Sequence, residues 1–316
     1  MFEASAPLVL GANLPWVRYG CDFGANLWHP GGGLASQPAP ERVVRALAQL
    51  RASGATHLRW FLFCDGRAGI QFDGEQVVGL DNCVLPDVAA ALDLAETAGL
   101  RVVFTLFDFR WCRPAQHVNG VQLYGRRRVL AQPRRRAALL DRVVAPVFRE
   151  FGHHPSIAAW DVMNEPEWVT FGVGSWNPFA SVRRGTMRSF IDAVTTLAHD
   201  LTAHPVTVGS ASARWLPLVQ GVGLDFFQVH WYDRLERHVA PRAVSAISAD
   251  RAVLLGEFPT RGSALDPATL LRLADDGGYR GAFWWSLLAD DAATDADEAL
   301  QALVARRDGA PVAGPA

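Results

Sequence analysis

The stretch AAWDVMNEPEW, residues 158–168, has the composition of a buried strand that stops abruptly on polar residues. Trp160 and Val162 belong to the apolar part, which is followed at once by Asn164 and Glu165. A carboxylate is costly to bury unless it has a partner. We therefore interpret the end of this strand as the mouth of a functional site.

Strand-like and helix-like segments alternate along the rest of the chain. Strands are predicted at residues 16–26, 56–63, 100–109, 157–163, 205–210, 224–232, 252–258 and 279–288. Helices are predicted at residues 40–54, 85–99, 134–152, 179–201, 213–219, 241–249, 266–277 and 295–307. In a chain of 316 residues, this alternation predicts an α/β fold with a closed (β/α)8 barrel. An open doubly wound sheet is disfavoured because no glycine-rich phosphate-binding turn follows a strand.

The chain is predicted to be a single catalytic domain over residues 1–316, with a core at about 16–307 and a frayed tail at 308–316. A net charge of -2 gives no reason to expect nucleic acid as a partner. The arginine-rich residues 125–136 are interpreted as a solvated or substrate-narrowing segment rather than a nucleic-acid patch. No apolar run is long enough for a membrane span, and no signal peptide is evident. We therefore expect a cytoplasmic protein, or a secreted one if the sequence is a trimmed form.

The composition also limits the chemistry. All 30 basic residues are arginine, which excludes a catalytic lysine. The four cysteines are scattered without a CxxC pair, and no HExxH motif occurs. We predict neither a metal site nor an organic cofactor.

In such barrels the active site lies at the carboxyl ends of the strands, so the predicted strand ends identify candidate site residues. These residues are Asn26 and Trp28 for the first strand, Arg59 for the second, Asp108 for the third, Asn164 and Glu165 for the fourth, His230 and Tyr232 for the sixth, Glu257 for the seventh and Trp285 for the eighth. Glu165 and Glu257 would face each other across the mouth. Two such carboxyls suit retaining glycoside hydrolysis, for which a separation of about 5–5.5 Å is expected.

Four short motifs carry a resemblance to a known family. They are NEP at 164–166, HWY at 230–232, GEF at 256–258 and WWSL at 284–287. In this order they resemble the retaining glycoside hydrolases of clan A, most closely the family 5 group of cellulases and β-mannanases. The resemblance covers about residues 18–290.

The resemblance implies roles for the central residues. Glu165 matches the acid/base and Glu257 the nucleophile. Asn164 matches the residue that binds the sugar 2-hydroxyl, and Tyr232 matches the tyrosine that orients the nucleophile.

The resemblance also implies a supporting set. His230 matches a histidine beside the site, and Arg59 matches the arginine that keeps the nucleophile ionised. Trp285 matches the aromatic floor of the sugar subsite, with Trp284 facing the other way. Cellulases carry a histidine after strand 3, whereas the stretch VVFTLFDFRWC at 102–112 has none, which favours the mannanase-like branch.

The sequence thus predicts a retaining β-glycoside hydrolase that acts on β-linked gluco- or manno-configured saccharides, either polymers or small glycosides. A transglycosylase with the same site is one alternative. A carbohydrate-binding barrel without catalysis is another, although both carboxyls are present.

Overall fold

The computed structural model describes residues 7–236 and 239–309 of the chain. Its centre is a closed barrel of eight parallel strands, with each strand hydrogen-bonded to its neighbours in chain order. The strands are β1 Val9–Asn13, β2 His57–Phe61, β3 Arg101–Asp108, β4 Ile157–Asn164, β5 Val206–Ser210, β6 Phe227–His230, β7 Val253–Glu257 and β8 Gly281–Trp284. Strand β1 pairs with both β2 and β8 and closes the barrel. The predicted (β/α)8 fold is confirmed.

The first strand lies upstream of its predicted position. Residues 16–26 form a loop, whereas the barrel strand is Val9–Asn13. Asp22 accepts hydrogen bonds from the backbone N–H groups of Val17 and Arg18, which folds the loop back on itself. The aromatic residues in this loop imitate the composition of a strand, and this explains the wrong prediction.

The helices lie between the strands and cover the barrel. They are Glu41–Ala52, Val84–Thr97, Arg127–Ala131, Pro133–Leu139, Ala145–Phe151, Arg184–Leu201, Pro267–Asp276 and Ala296–Arg307. A π-turn at Leu140–Val144 joins two of them into one continuous element before Pro146.

The strict alternation of eight strands with eight helices is wrong at two connections. The segment after β5 holds the 3-10 helix Ala213–Leu218, and the one after β6 holds only the 3-10 turn Val244–Ala246. The predicted helix at 241–249 is therefore mostly irregular.

Long loops follow several strands at the carboxyl end of the barrel. After β2 comes the antiparallel hairpin Ile70–Asp73 and Gln76–Leu80, and after β3 the hairpin Gln116–Val118 and Val121–Leu123. Both hairpins therefore lie at the end of the barrel where such barrels have their active site.

The barrel strands are buried on both faces, which explains their nearly continuous apolar sequences. At the end of the barrel where the strands begin, a cluster that includes Val103, Phe226 and Phe283 fills the interior. Polar side chains replace this apolar filling toward the carboxyl end. Among the described residues, no helix is long and apolar enough to cross a membrane. Of the predicted tail, residues 310–316 lie outside the described residues.

Candidate active site

Two carboxyl groups meet at the carboxyl end of the barrel. Glu257 is the last residue of β7, and Glu165 follows β4 in a left-handed backbone conformation with φ 48°. One oxygen of each carboxyl and a ring nitrogen of His230 all lie within 4.8 Å of one another. An oxygen of Glu165 thus lies within 4.8 Å of an oxygen of Glu257, a close approach that is compatible with the separation of about 5–5.5 Å expected of a retaining pair.

His230 lies between the two carboxyls. Its Nδ1 is 2.9 Å from Glu165 Oε1 and 3.5 Å from Glu257 Oε2. Burial lowers the pKa of His230 to about 4, so the imidazole is neutral near neutral pH. A neutral imidazole can hydrogen-bond a carboxyl without adding a charge to the site.

Glu257 has a permanent cation as its direct partner. Arg59 Nη1 donates to Glu257 Oε1 at 2.6 Å, and the Tyr232 hydroxyl donates to Oε2 at 3.0 Å. Burial raises the pKa of Glu257, while Arg59 and the Tyr232 hydrogen bond act in the opposite direction. Arginine stays charged inside proteins, so this partner favours the carboxylate form that a nucleophile needs.

Glu165 has a different environment. The Trp168 indole N–H donates to its Oε2 at 2.8 Å. Burial raises the pKa of Glu165 to about 7, against the smaller opposing effects of that hydrogen bond and of Arg59. A carboxyl that keeps its proton near neutral pH is suited to act as a general acid.

Arg59 is held in place by residues that the sequence did not reveal. Asp161 accepts from Arg59 Nε at 2.9 Å and from Nη2 at 2.7 Å, and Asn13 Oδ1 accepts from Nη1 at 3.1 Å. Asp161 also accepts from the Thr105 hydroxyl at 2.9 Å. Asp161 could have been identified from the sequence as a charged residue in the middle of an otherwise apolar strand. Asn13 was missed because the first strand was misplaced.

Asn164 and Asp108 form the next layer. Asn164 Nδ2 donates to Asp108 Oδ2 at 2.8 Å, and Asn164 Oδ1 accepts from Arg59 Nη2 at 2.8 Å. Their residues are direct neighbours in the β3–β4 register. Burial raises the pKa of Asp108 to about 7. The orientation of the Asn164 amide is therefore set by one partner on each side.

The pocket above these groups has a volume of about 260 Å³ and an aromatic wall. Trp285 lines the pocket, and its indole N–H donates to Asp291 at 2.8 Å. Trp284 is only 1% exposed and packs in the hydrophobic core, facing the other way. Trp16 and Tyr19, from the loop after β1, also line the pocket and were not identified from the sequence.

Asn26 and Trp28 lie outside this pocket. Asn26 Oδ1 accepts from the backbone N–H of Trp28 at 2.9 Å, and Asn26 Nδ2 donates to the carbonyl of Arg67 at 3.3 Å. These bonds stabilise a turn within the loop. The prediction that Asn26 and Trp28 belong to the site is therefore wrong. It followed from the misplaced first strand, whose true end is Asn13.

The cluster Glu165, His230 and Glu257 also has the spacing of metal ligands. Both oxygens of Glu257 are already hydrogen-bonded, one of them to the guanidinium of Arg59. A cation at this position would be repelled by the adjacent arginine. The donor set therefore fits a carboxyl pair better than a metal centre.

Comparisons with known proteins show similarity of sequence and fold to mannanases. No protein-family model matches the sequence. The mannan endo-1,4-beta-mannosidase of Mytilus edulis is 22% identical over 324 residues, covering 87% of this chain and 82% of the relative. The solved structure of the endo-1,4-beta-mannanase from Eisenia fetida superposes with a TM-score of 0.77 at 23% identity, covering 94% of this chain and 90% of the other.

The chain is thus similar to β-mannanases in sequence and in fold. A family 5, subfamily 18 protein from Streptomyces cattleya, solved with Manβ1-4GlcNAc, also has the fold, with a TM-score of 0.63, 14% identity and coverage of 98% of this chain and 83% of the other. The resemblance to clan A, family 5 enzymes that the motifs suggested is confirmed. The motifs suggested either a cellulase-like or a mannanase-like branch, and these relatives represent the mannanase-like branch.

Proposed function

We propose that the protein is a single-domain retaining β-glycoside hydrolase that cleaves β-1,4-linked manno-configured saccharides. One observation carries the proposal. Glu165 and Glu257 lie close together around His230, and a buried arginine contacts only one of them directly. This asymmetry gives the two carboxyls the two different protonation states that double displacement requires.

In the first step Glu257 attacks the anomeric carbon while Glu165 donates its proton to the departing glycosidic oxygen. A glycosyl–Glu257 ester forms, and Glu165 becomes a carboxylate. In the second step Glu165 takes a proton from water, which attacks the anomeric carbon and releases Glu257. Two inversions give a product with the configuration of the substrate.

The supporting residues have roles that follow from their contacts. Arg59 and Tyr232 hold the Glu257 carboxylate by one hydrogen bond on each oxygen. Asn164, fixed between Arg59 and Asp108, can present its remaining N–H to a sugar hydroxyl. Trp285 offers a flat apolar ring to the CH face of a sugar.

The manno configuration is proposed from the relatives, since those that match along most of the chain are mannan endo-1,4-beta-mannosidases. The predicted cytoplasmic location stays a prediction. Transglycosylation would use the same site with a sugar acceptor in place of water. Product analysis at high acceptor concentration distinguishes these two reactions.

The test is a panel of aryl β-glycosides and of β-mannan, β-glucan and xylan polymers, with the first-formed anomer followed by NMR. We expect activity on the manno-configured substrates and release of the β-anomer. Release of the α-anomer would overturn the retaining mechanism. Binding of mannan without any cleavage would instead favour a carbohydrate-binding barrel.

A further inference from the structure

A second cavity opens on the same face of the barrel as the active site. Its volume is about 820 Å³, and it lies between the loops that follow β1, β2 and β3. It shares a wall with the active-site pocket, because Tyr19 lines that pocket and the guanidinium of Arg67, which lines the second cavity, stacks 4.3 Å from the Tyr19 ring. A long ligand could therefore contact both.

Arg126 is the unusual residue of this cavity. It is 7% exposed, and its guanidinium stacks on the ring of Phe72 at 3.6 Å. Stacking satisfies the face of a guanidinium but leaves the N–H groups at its edge unbonded. Its buried Nε has no hydrogen-bond partner, and no carboxylate pairs with it, among the residues that the structure describes.

The acidic groups nearby are already engaged. Glu75 is paired with Arg128 and Arg135. Asp81 lines the cavity, but its oxygens accept the backbone N–H groups of Ala25, Cys83 and Val84. Among the described residues, Arg126 therefore has no carboxylate in direct contact, and the nearby Glu75 is shared between Arg128 and Arg135.

The second arginine of the cavity is neutralised. Arg67 donates through Nε and Nη2 to the two oxygens of Asp65, at 2.9 and 2.6 Å. Both arginines also cover aromatic rings, those of Phe72 and Tyr19, so these ring faces are not free to stack on a sugar. The cavity therefore offers a ligand one guanidinium without an ion-pair partner among the described residues, beside apolar side chains such as Leu27 and Val78.

We propose that this cavity binds the carboxylate of a uronic acid unit through Arg126. A buried arginine without a partner is costly, and a carboxylate accepts its edge N–H groups in a charge-assisted pair. The uronic acid has two possible sources. It is either a branch on the saccharide chain held in the active site, which rests on the proposed function, or a separate acidic saccharide.

The first test is direct binding and needs no catalysis. Methyl β-glucuronide and methyl β-glucoside are titrated into the wild-type protein by calorimetry. We expect the glucuronide to bind at least about tenfold more tightly than the glucoside, and its affinity to fall as salt is raised. Equal affinities for the two glycosides would overturn the proposal without reference to any variant.

Variants then locate the bound carboxylate. Arg126→Met keeps an apolar chain over Phe72 and should lose about tenfold or more in glucuronide affinity. Arg128→Met, two residues further along and exposed, should bind like the wild type, because Glu75 keeps Arg135 as its partner. Arg234→Met tests the active-site pocket, which that arginine lines. A loss of binding with Arg234→Met in place of Arg126→Met would refute the assignment.

A kinetic comparison distinguishes the two sources. If the acid is a branch, kcat/KM should be higher for a glucuronosyl-substituted manno-oligosaccharide than for the unsubstituted one, and Arg126→Met should abolish this preference. If it is a separate saccharide, glucuronide binding should depend on Arg126 while the two kcat/KM values are equal. Failure of hydrolysis alone would count against the proposed function and leave the titration result standing.

Discussion

Arg59 donates a 2.6 Å hydrogen bond to Glu257, whereas Glu165 accepts from the indole N–H of Trp168 and faces a neutral imidazole. The guanidinium is fully buried and bridges Glu257 to Asp161. The two carboxyls therefore differ in their immediate partners even though they lie side by side. This difference leads to predictions about stability, kinetics and pH dependence.

Removing the buried guanidinium should destabilise the fold. Arg59→Met leaves two carboxylates buried without their cation, and loss of one partner of a buried pair costs about 3–5 kcal/mol. Urea denaturation should show this loss in the free energy of unfolding. The matched control is Arg45→Met, which removes an exposed pair with Glu41 and should cost less than about 1 kcal/mol. Similar losses for the two variants would contradict the bridging role of Arg59.

The two glutamates should fail in different ways. Glu257→Ala should lose activity on every substrate, because no glycosyl-enzyme can form. Glu165→Ala should lose about 10²–10⁴-fold on substrates with poor leaving groups but retain the first step on a dinitrophenyl glycoside, which needs little protonation.

Azide distinguishes the two variants by stereochemistry. It needs no general base, so it should rescue Glu165→Ala and give a glycosyl azide of retained configuration. In Glu257→Ala it should enter from the vacated face and give the inverted azide. The anomers are assigned by NMR. The same anomer from both variants would show that the assigned roles are wrong.

The pH–rate profile should report the proton of Glu165. Its pKa is raised to about 7 by burial, so the acid form is lost as the pH rises through that value. We expect kcat/KM for a poor leaving group to decline above about pH 7. With Glu165→Ala and a dinitrophenyl glycoside, this alkaline decline should disappear. A decline that persists unchanged in the variant would assign it to another group.

Glu167 should make the fold less stable as the pH rises from 4.5 to about 8. It is fully buried, accepts the Ala211 N–H at 3.2 Å, and burial raises its pKa from 4.5 to about 8. The folded state thus binds this proton more tightly than the unfolded state does. The resulting stability is complete below pH 4.5 and is lost as the pH rises to about 8. Glu167→Gln should flatten the fall in melting temperature across this range, and an equally steep fall would contradict the prediction.

Trp285 should contribute to substrate binding. Its ring lines the pocket and is oriented by the hydrogen bond to Asp291. Trp285→Ala should raise KM for an aryl β-mannoside on the order of tenfold, and lower kcat as the sugar loses its position. Trp176→Ala is the control, since this tryptophan is 76% exposed and lies outside the pocket. An unchanged KM for Trp285→Ala would remove the ring from the proposed subsite.

Much of the site followed from local sequence patterns. A strand that is buried on both faces reads as an apolar run, so a polar residue at its end marks the mouth of the barrel. This reasoning located Asn164, Glu165, Tyr232 and Glu257, which the structure brings together. The resemblance to family 5 enzymes selected Trp285 for the pocket, and strand alternation then predicted that Trp284 faces the other way.

Tertiary structure alone decided the rest. The first strand is five residues long, and a more aromatic loop next to it imitated a strand, so local composition selected the wrong segment. The two partners of Arg59 that the sequence did not reveal, Asn13 and Asp161, are 46 and 102 positions away along the chain. No local pattern encodes such a contact. In the same way, Arg126 has no ion-pair partner among the described residues because of where separate loops position their acidic side chains. The sequence by itself determined the order of the strands and the polar residues that end β3, β4, β6 and β7, because these depend on burial along each segment. The pairing of charges depends on how distant segments meet, and only the folded barrel sets that.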